Sequence, residues 1–192
     1  FIKKFFFEIL IFPDIEKKAL EILKEKKKLI LIKYKRRKRR DVEFRFVDDG
    51  VLVQENFGVS FDDWRKVTPF RVSKRVFEDL KFAWKVVKFL KSNSCCIVKN
   101  KMTVGIGSGQ PSRIGAVELA CYNMRKFHGK LKNSVLASDG FFPFPDSIIE
   151  AHKNGIKAII SPSGSKRDEE VIKEAKKRKI ILFFTRKRQF LH

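Results

Sequence analysis

The spacing of hydrophobic and polar residues changes several times along the chain. Residues 5 to 12 are almost continuously apolar, broken only by Glu8 and stopped by Pro13. A short run of this kind predicts a strand buried on both faces. Asp14 then stands where a helix cap is wanted, and Ile15, Ala19, Ile22 and Leu23 recur at helical spacing. Leu29 to Ile32 predicts a second strand. Val42, Phe44 and Phe46 alternate with charged residues, the pattern of a half-exposed strand, and Val51 to Val53 predicts another short one. Residues 55 to 72 show no regular period and read as irregular.

From Ser73 the pattern becomes helical, with Val76, Leu80, Ala83, Trp84 and Val87 on one face and a stop near Ser92. Cys95 to Val98 and Met102 to Ile106, joined by a tight polar turn, predict a hairpin. Ser112 is placed to cap a helix whose buried face holds Val117, Ala120, Cys121 and Met124. Val135 to Ala137, Ala158 to Ile160 and Ile180 to Phe184 predict three more strands. Between them fall a helix capped by Asp146 and a charged surface helix over 168–178. Strands alternating with helices argue for an α/β sheet covered by helices. There is no internal repeat.

Composition adds limits. A length of 192 residues is one ordinary domain or part of a larger protein, and 43% hydrophobic content supports a sizeable core. No uncharged apolar run reaches the ~18 residues of a membrane helix. The chain opens on Phe without a signal-peptide pattern, which suggests a piece of a longer protein. Cys95, Cys96 and Cys121 have no metal-ligand spacing. They read as small buried hydrophobes in a reducing cytosol, with adjacent Cys95 and Cys96 on opposite faces of a strand.

The net charge of +22 has two readings. Basic residues could neutralise nucleic-acid phosphates. Alternatively, a proteome bias toward Lys, Ile and Phe, which have A/T-rich codons, gives the same number without such a partner. The one concentration is Lys33, Lys35, Arg36, Arg37, Lys38, Arg39 and Arg40. It reads as a nucleic-acid or localisation patch, or as a solvated connection between strands; the connection is favoured.

Chemistry is expected in the strand-to-helix loops, because open α/β sheets bind ligands beyond the carboxyl ends of their strands. Residues 105–113, Gly-Ile-Gly-Ser-Gly-Gln-Pro-Ser-Arg, form either a tight structural turn or an anion site at a helix N-terminus. They match neither a dinucleotide fingerprint nor a P-loop. Phe141, Phe142 and Phe144, on a loop between Asp139 and Asp146, could stack on a planar heterocycle or plug the core. Ser163-Gly164-Ser165 could bind an anion through free amides or act as a plain hydroxyl cap. The zinc-deaminase and nucleophile-elbow patterns are both missing. His128 and His152 read as solvent-facing, and His192 is terminal.

In this order and spacing, these segments resemble AICAR transformylase. The matching segments are Lys91-Ser92-Asn93-Ser94, residues 104–113, residues 137–146, Ser161 to Ser165 and Thr185 to His192, with Phe7 to Asp14 and Ala19 to Leu23 earlier. The family is the formyl-transfer domain of a bifunctional purine-biosynthesis protein that also carries IMP cyclohydrolase. The resemblance covers most of 6–32 and nearly all of 76–192. It implies a three-layer α/β/α, mixed-sheet, cytidine-deaminase-like fold without zinc. It also implies a cytoplasmic location and formyl transfer from 10-formyltetrahydrofolate to the 5-amino group of AICAR by an intertwined homodimer.

By the same resemblance, Glu8, Asn93, Arg113, Phe141, Arg188 and Phe190 fall where AICAR is contacted. Ile114, Asp146, Ser165 and Lys166 fall where the folate is contacted, and Asn93 and His192 are supporting catalytic groups. Residues 1–72 correspond to the end of a first subdomain plus a connection, and 73–192 to the C-terminal subdomain. The family's adjacent Lys-His catalytic pair does not occur in this sequence, nor does the cyclohydrolase domain. An inactive C-terminal piece is therefore expected. The alternative is a non-catalytic remnant that binds nucleotide or RNA. Gly140, where Ala is usual, and Leu191 are smaller departures, and no counterpart of the basic run can be placed.

Overall fold

The computed structural model describes residues 6–35, 42–55 and 58–189. The chain forms two compact units, Phe1–Gly58 and Val59–His192.

In the first unit, β1 (Ile9–Phe12), α1 (Lys17–Lys24) and β2 (Ile30–Lys33) make a β-α-β turn of chain. Its strands pair in parallel from Ile9 with Ile30 to Phe12 with Lys33. The expectation of a strand buried on both faces fails here, because among the described residues β1 pairs with one strand and Ile9 and Ile11 remain exposed. Asp14 does not cap α1. Glu16 holds the N-cap position without a side-chain hydrogen bond. The Asp14 carboxylate instead accepts from Lys33 Nζ at 3.0 Å, and that bond leads the causes that lower its pKa. β3 (Val42–Val47) and β4 (Gly50–Glu55) form an antiparallel hairpin. Of the basic run, Lys33 and Lys35 are described and 36–40 lie outside the described residues.

The second unit is a six-stranded mixed sheet between helices. Its elements are β5 (Arg65–Lys66), α2 (Lys74–Val87), β6 (Cys95–Lys99), β7 (Met102–Gly107), α3 (Arg113–His128), β8 (Ser134–Ser138), α4 (Asp146–Lys153), β9 (Ile156–Pro162), α5 (Asp168–Lys177) and β10 (Ile181–Thr185). The strand order is β5-β10-β9-β8-β6-β7. β8, β9 and β10 run parallel, and the remaining pairs are antiparallel.

Alternation along each strand divides the core in two. Cys96, Val135, Ala137, Ala158 and Ile160 meet Leu80, Ala83, Trp84 and Val87 of α2. Cys95, Ile97, Leu136, Ile159 and Leu182 meet buried residues of α3, α4 and α5. This is the three-layer α/β/α arrangement, with the two adjacent cysteines on opposite faces. Burial raises the Cys95 thiol to about 11 and the Cys96 and Cys121 thiols to about 12, so none is a nucleophile near neutral pH.

Residues 59–72 are less irregular than their sequence suggests. They supply β5, and Val59, Phe61, Trp64, Phe70 and Val72 pack on the α2 side of the core. The compact units divide at Gly58. Trp64 meets Phe61, Phe77 and Trp84 edge to face, at centroid distances of 5.4, 5.8 and 6.2 Å. Among the described residues no helix is long and apolar enough to cross a membrane.

Candidate functional site

β8, β9 and β10 end at the edge where β6 begins and β7 finishes, since Cys95 pairs with both Ser138 and Gly107. The loops singled out from sequence gather at this edge. Within the glycine segment the residues divide their work. A Cβ added at Gly105 or Gly107 would fall on the carbonyl oxygen of Ala120 or Ala116, so these two glycines let β7 lie directly on α3. Gly109, at φ +67°, makes the turn, and its amide donates to the Lys91 carbonyl at 2.7 Å. Asn93 and Gln110 exchange backbone hydrogen bonds at 3.3 and 3.2 Å. The segment is thus a close-packed structural turn, and it holds Asn93 against the start of α3.

Ser112 caps α3, accepting from the Gly115 amide at 3.1 Å, and Arg113 follows with its side chain turned inward. Its guanidinium is 7% exposed and pairs with Asp139, which is fully buried. Arg113 Nη1 also donates to the Ser138 hydroxyl at 3.0 Å and the Ser94 carbonyl at 3.2 Å, while Nη2 donates to Asn93 Oδ1 at 2.9 Å. Asp139 accepts in turn from the Ser94 amide at 2.9 Å and from the Ser92 hydroxyl. A buried charge pair with this many partners is held in one geometry, since removing either partner strands the other. The Gln189 amide donates to the Asp139 carbonyl at 3.0 Å, tying the terminal segment to the same point.

The aromatic loop shares its roles among three rings. Phe142 plugs the core at 2% exposure. Phe141 is half-buried and carries the Arg188 guanidinium over its face, with Cζ 5.2 Å from the ring centroid. Phe144 is exposed and carries Arg167 at 4.6 Å. Asp146 is the first residue of α4 and not its cap. Pro145 occupies the cap position, and the Asp146 carboxylate accepts from the Ser147 amide at 2.6 Å.

Between β9 and α5 the amides of Gly164 and Ser165 are already taken by the Asp168 carboxylate, at 2.8 and 3.2 Å. That loop closes on an internal anion. Ser165 Oγ accepts from the Arg167 amide at 3.1 Å. Lys166 is exposed, and Ile114 is half-buried in the first turn of α3.

Asn93, Arg113, Phe141 and Arg188 are therefore brought together through Asp139 and the residues beside it. Glu8 is exposed in the first unit. Phe190 and His192 lie outside the described residues. His128 and His152 are exposed, as expected.

Sequence reasoning gave no role to Asp139, Ser138 or Asp63. Asp139 carried a usable signal, an acidic residue two positions beyond the apolar run Val135–Ala137. Asp63 carried none. It borders a cavity of about 360 Å³ that Trp64, Arg65, Ser163, Thr185 and Arg186 also line. Its carboxylate accepts from the Thr185 hydroxyl at 2.6 Å and the Arg186 amide at 2.9 Å. Burial works against its charge, but these bonds outweigh it and leave the pKa lowered. Among the described residues no cluster of His, Cys, Asp and Glu could hold a metal ion.

A sequence profile described as AICARFT/IMPCHase bienzyme matches residues 1–123. Among curated relatives, the bifunctional purine biosynthesis protein PurH of Persephonella marina is 45% identical over 190 residues, covering 97% of this chain. The PurH proteins of Petrotoga mobilis and Caldicellulosiruptor saccharolyticus are 44% and 47% identical over the whole chain. This chain spans 37% of the length of each of the three. A solved structure, the dCMP deaminase of cyanophage S-TIM5 in complex with dCMP and dUMP, is similar at 18% identity and a TM-score of 0.41. It covers 60% of this chain and 100% of the deaminase.

Proposed function

Because the chain belongs to the AICARFT/IMPCHase bienzyme family, we propose that it serves purine biosynthesis by contributing the nucleotide-holding part of an AICAR transformylase site. The reaction would be formyl transfer from 10-formyltetrahydrofolate to the 5-amino group of AICAR. The observation that carries this reading is the hydrogen-bonded cluster joining Asn93, Arg113 and Asp139 to the segment that lays Arg188 over Phe141.

The AICAR amine is a weak nucleophile, because its lone pair is delocalised into the ring and the carboxamide. Attack on the formyl carbon needs a base for the amine proton and a donor for the tetrahedral oxyanion. In the family those tasks fall to a Lys-His pair, which this sequence does not contain. What this chain offers is orientation. Arg113 Nη2 carries two protons, one of which goes to Asn93, and the other can reach a ligand oxygen. Arg188 brings a second guanidinium, suited to an anionic nucleotide, and Phe141 offers a ring that can pack on the imidazole. Asp146 could accept from the amino-amide edge of the pterin, with Ile114, Ser165 and Lys166 nearby in sequence to the folate-side segments. A homodimer and a cytoplasmic location belong to the same proposal.

The test joins this chain to the remaining segments of the Persephonella marina relative and titrates AICAR calorimetrically. Arg188→Ala should raise the dissociation constant about tenfold to a hundredfold, the equivalent of a charge-assisted contact of roughly 1.5–3 kcal/mol. Arg188 is the cleaner probe than Arg113, whose removal would also strand a buried carboxylate. Unchanged AICAR affinity in a folded Arg188→Ala protein would reject the assignment.

A further inference from the structure

At the end of the sheet opposite the Arg113–Asp139 cluster lies a second cavity, of about 350 Å³. It sits where β9 begins and β6 ends, beside the first turn of α2. Four cationic side chains line it, each from a different stretch of chain. Arg71 precedes α2, Arg75 lies in its first turn, Lys99 closes β6, and Lys157 is near the start of β9.

None of the four forms an ion pair among the described residues. Their recorded partners are neutral oxygens. Lys99 Nζ donates to the carbonyls of Lys132 and Asn133 at 2.6 and 3.1 Å, Lys157 Nζ to the Lys179 carbonyl at 3.4 Å, and Arg75 to Asn100 Oδ1. An ammonium has three protons, so Lys99 keeps one beyond these bonds.

The one carboxylate among the lining residues is that of Asp79. It is buried, and its two oxygens accept from the amides of Asn100 and Lys101 at 2.9 and 2.7 Å. It therefore fixes the β6–β7 turn, and the cavity is lined by four cations against this one carboxylate. The N-terminus of α2, a helix of 14 residues capped by Ser73, adds positive potential at the same place.

We infer that this cavity binds a phosphate-class anion. The converging cations repel one another until an anion enters, and the occupant would gain charge-assisted bonds from several elements at once. The inference stands apart from the transformylase reading, since none of these residues belongs to the candidate site. The phosphate chemistry has two sources, a small phosphorylated compound or the phosphodiester backbone of RNA.

Inorganic diphosphate titrated calorimetrically into the full chain, at ionic strength held constant with chloride, is the first arm. The expected result is saturable binding at one site. The double variant Arg71→Ser/Lys157→Ser should weaken it at least about tenfold, the loss expected for one or two charge-assisted contacts. The control Lys176→Ser/Lys177→Ser removes equal charge from α5 and should leave binding unchanged. Circular dichroism melts should place both variants at the wild-type midpoint. Absence of saturable binding, or equal loss in the two double variants, would overturn the inference, because the +22 net charge alone would then account for anion affinity. In the second arm a fluorescent single-stranded oligoribonucleotide competes with diphosphate. Displacement that the cavity variant abolishes supports the site with RNA as the source. Diphosphate binding without displacement supports it with a small phosphorylated compound as the source.

Discussion

Removing the Asp139 carboxylate should unfold the second unit far more readily than its single-residue scale suggests. Asp139→Ala takes the ionic partner from a guanidinium that is 7% exposed, and the acceptor from the Ser94 amide and the Ser92 hydroxyl. Breaking one side of a buried pair costs about 3–5 kcal/mol. Domains of this size are stable by only about 5–15 kcal/mol. With a urea slope of about 2 kcal/mol/M, the midpoint should fall by about 1.5–2.5 M.

Asp139→Asn separates charge from shape. Its amide oxygen can still accept from Arg113 and Ser94, and its NH₂ can donate to the Ser92 hydroxyl once that group turns to accept. The Arg113 charge is still left without its counter-ion, so the loss should fall between the wild type and Asp139→Ala. The double variant Asp139→Ala/Arg113→Met should cost less than the sum of its singles by about 2 kcal/mol, since no charge is left stranded. Both tryptophans, Trp64 and Trp84, lie in the second unit, so fluorescence reports its unfolding alone. If Asp139→Ala shifts the midpoint by less than about 0.5 M, the guanidinium has found water or another partner, and the reasoning fails.

Two further outcomes follow from packing and from charge. Gly107→Ala should destabilise the second unit by about 1–3 kcal/mol, because the new Cβ meets the Ala116 carbonyl and must lift β7 off α3; Gly109→Ala, where space is open but φ is +67°, should act only through backbone strain, and thermal melts of the pair measure both. Asp63 has a folded pKa below its unfolded value, so its stabilisation is present above about pH 4 and lost as pH falls through the folded pKa. Asp63→Asn should therefore lower the melting temperature at neutral pH, and the gap to the wild type should close as pH falls through the folded pKa of Asp63; a gap that stays constant as pH falls would show that the charge does not hold the Thr185–Arg186 clamp.

The elements of the second unit were legible because their signals agreed. Ser73 and Ser112 cap the helices their positions suggested, and Cys95 and Cys96 part to opposite faces as strand alternation requires. The signals misled where tertiary partners decide the outcome. The apolar stretch ending at Phe12 reads as buried on both faces, yet among the described residues of its own unit it pairs with one strand. Asp14 has a capping side chain, but Lys33 claims it. Residues 59–72 lack periodicity because their aromatic residues pack singly from a loop and not as one face of a helix or strand. In the site, the glycine segment left a turn and an anion site open; backbone packing against α3 accounts for Gly105 and Gly107. The position of Asp139 after an apolar run marked it, but its partner was hidden, because nothing in a linear sequence says that Arg113, 26 residues earlier, turns inward to meet it.

The most direct test of the proposed function is turnover. This chain would be joined to the remaining segments of the Persephonella marina relative, supplied with AICAR and 10-formyltetrahydrofolate, and followed by tetrahydrofolate release. The account predicts that the joined protein forms formyl-AICAR, while the 192-residue chain by itself, lacking the Lys-His pair, does not. A joined protein that folds, binds neither substrate and releases no tetrahydrofolate would contradict it, as would rapid turnover by the isolated chain.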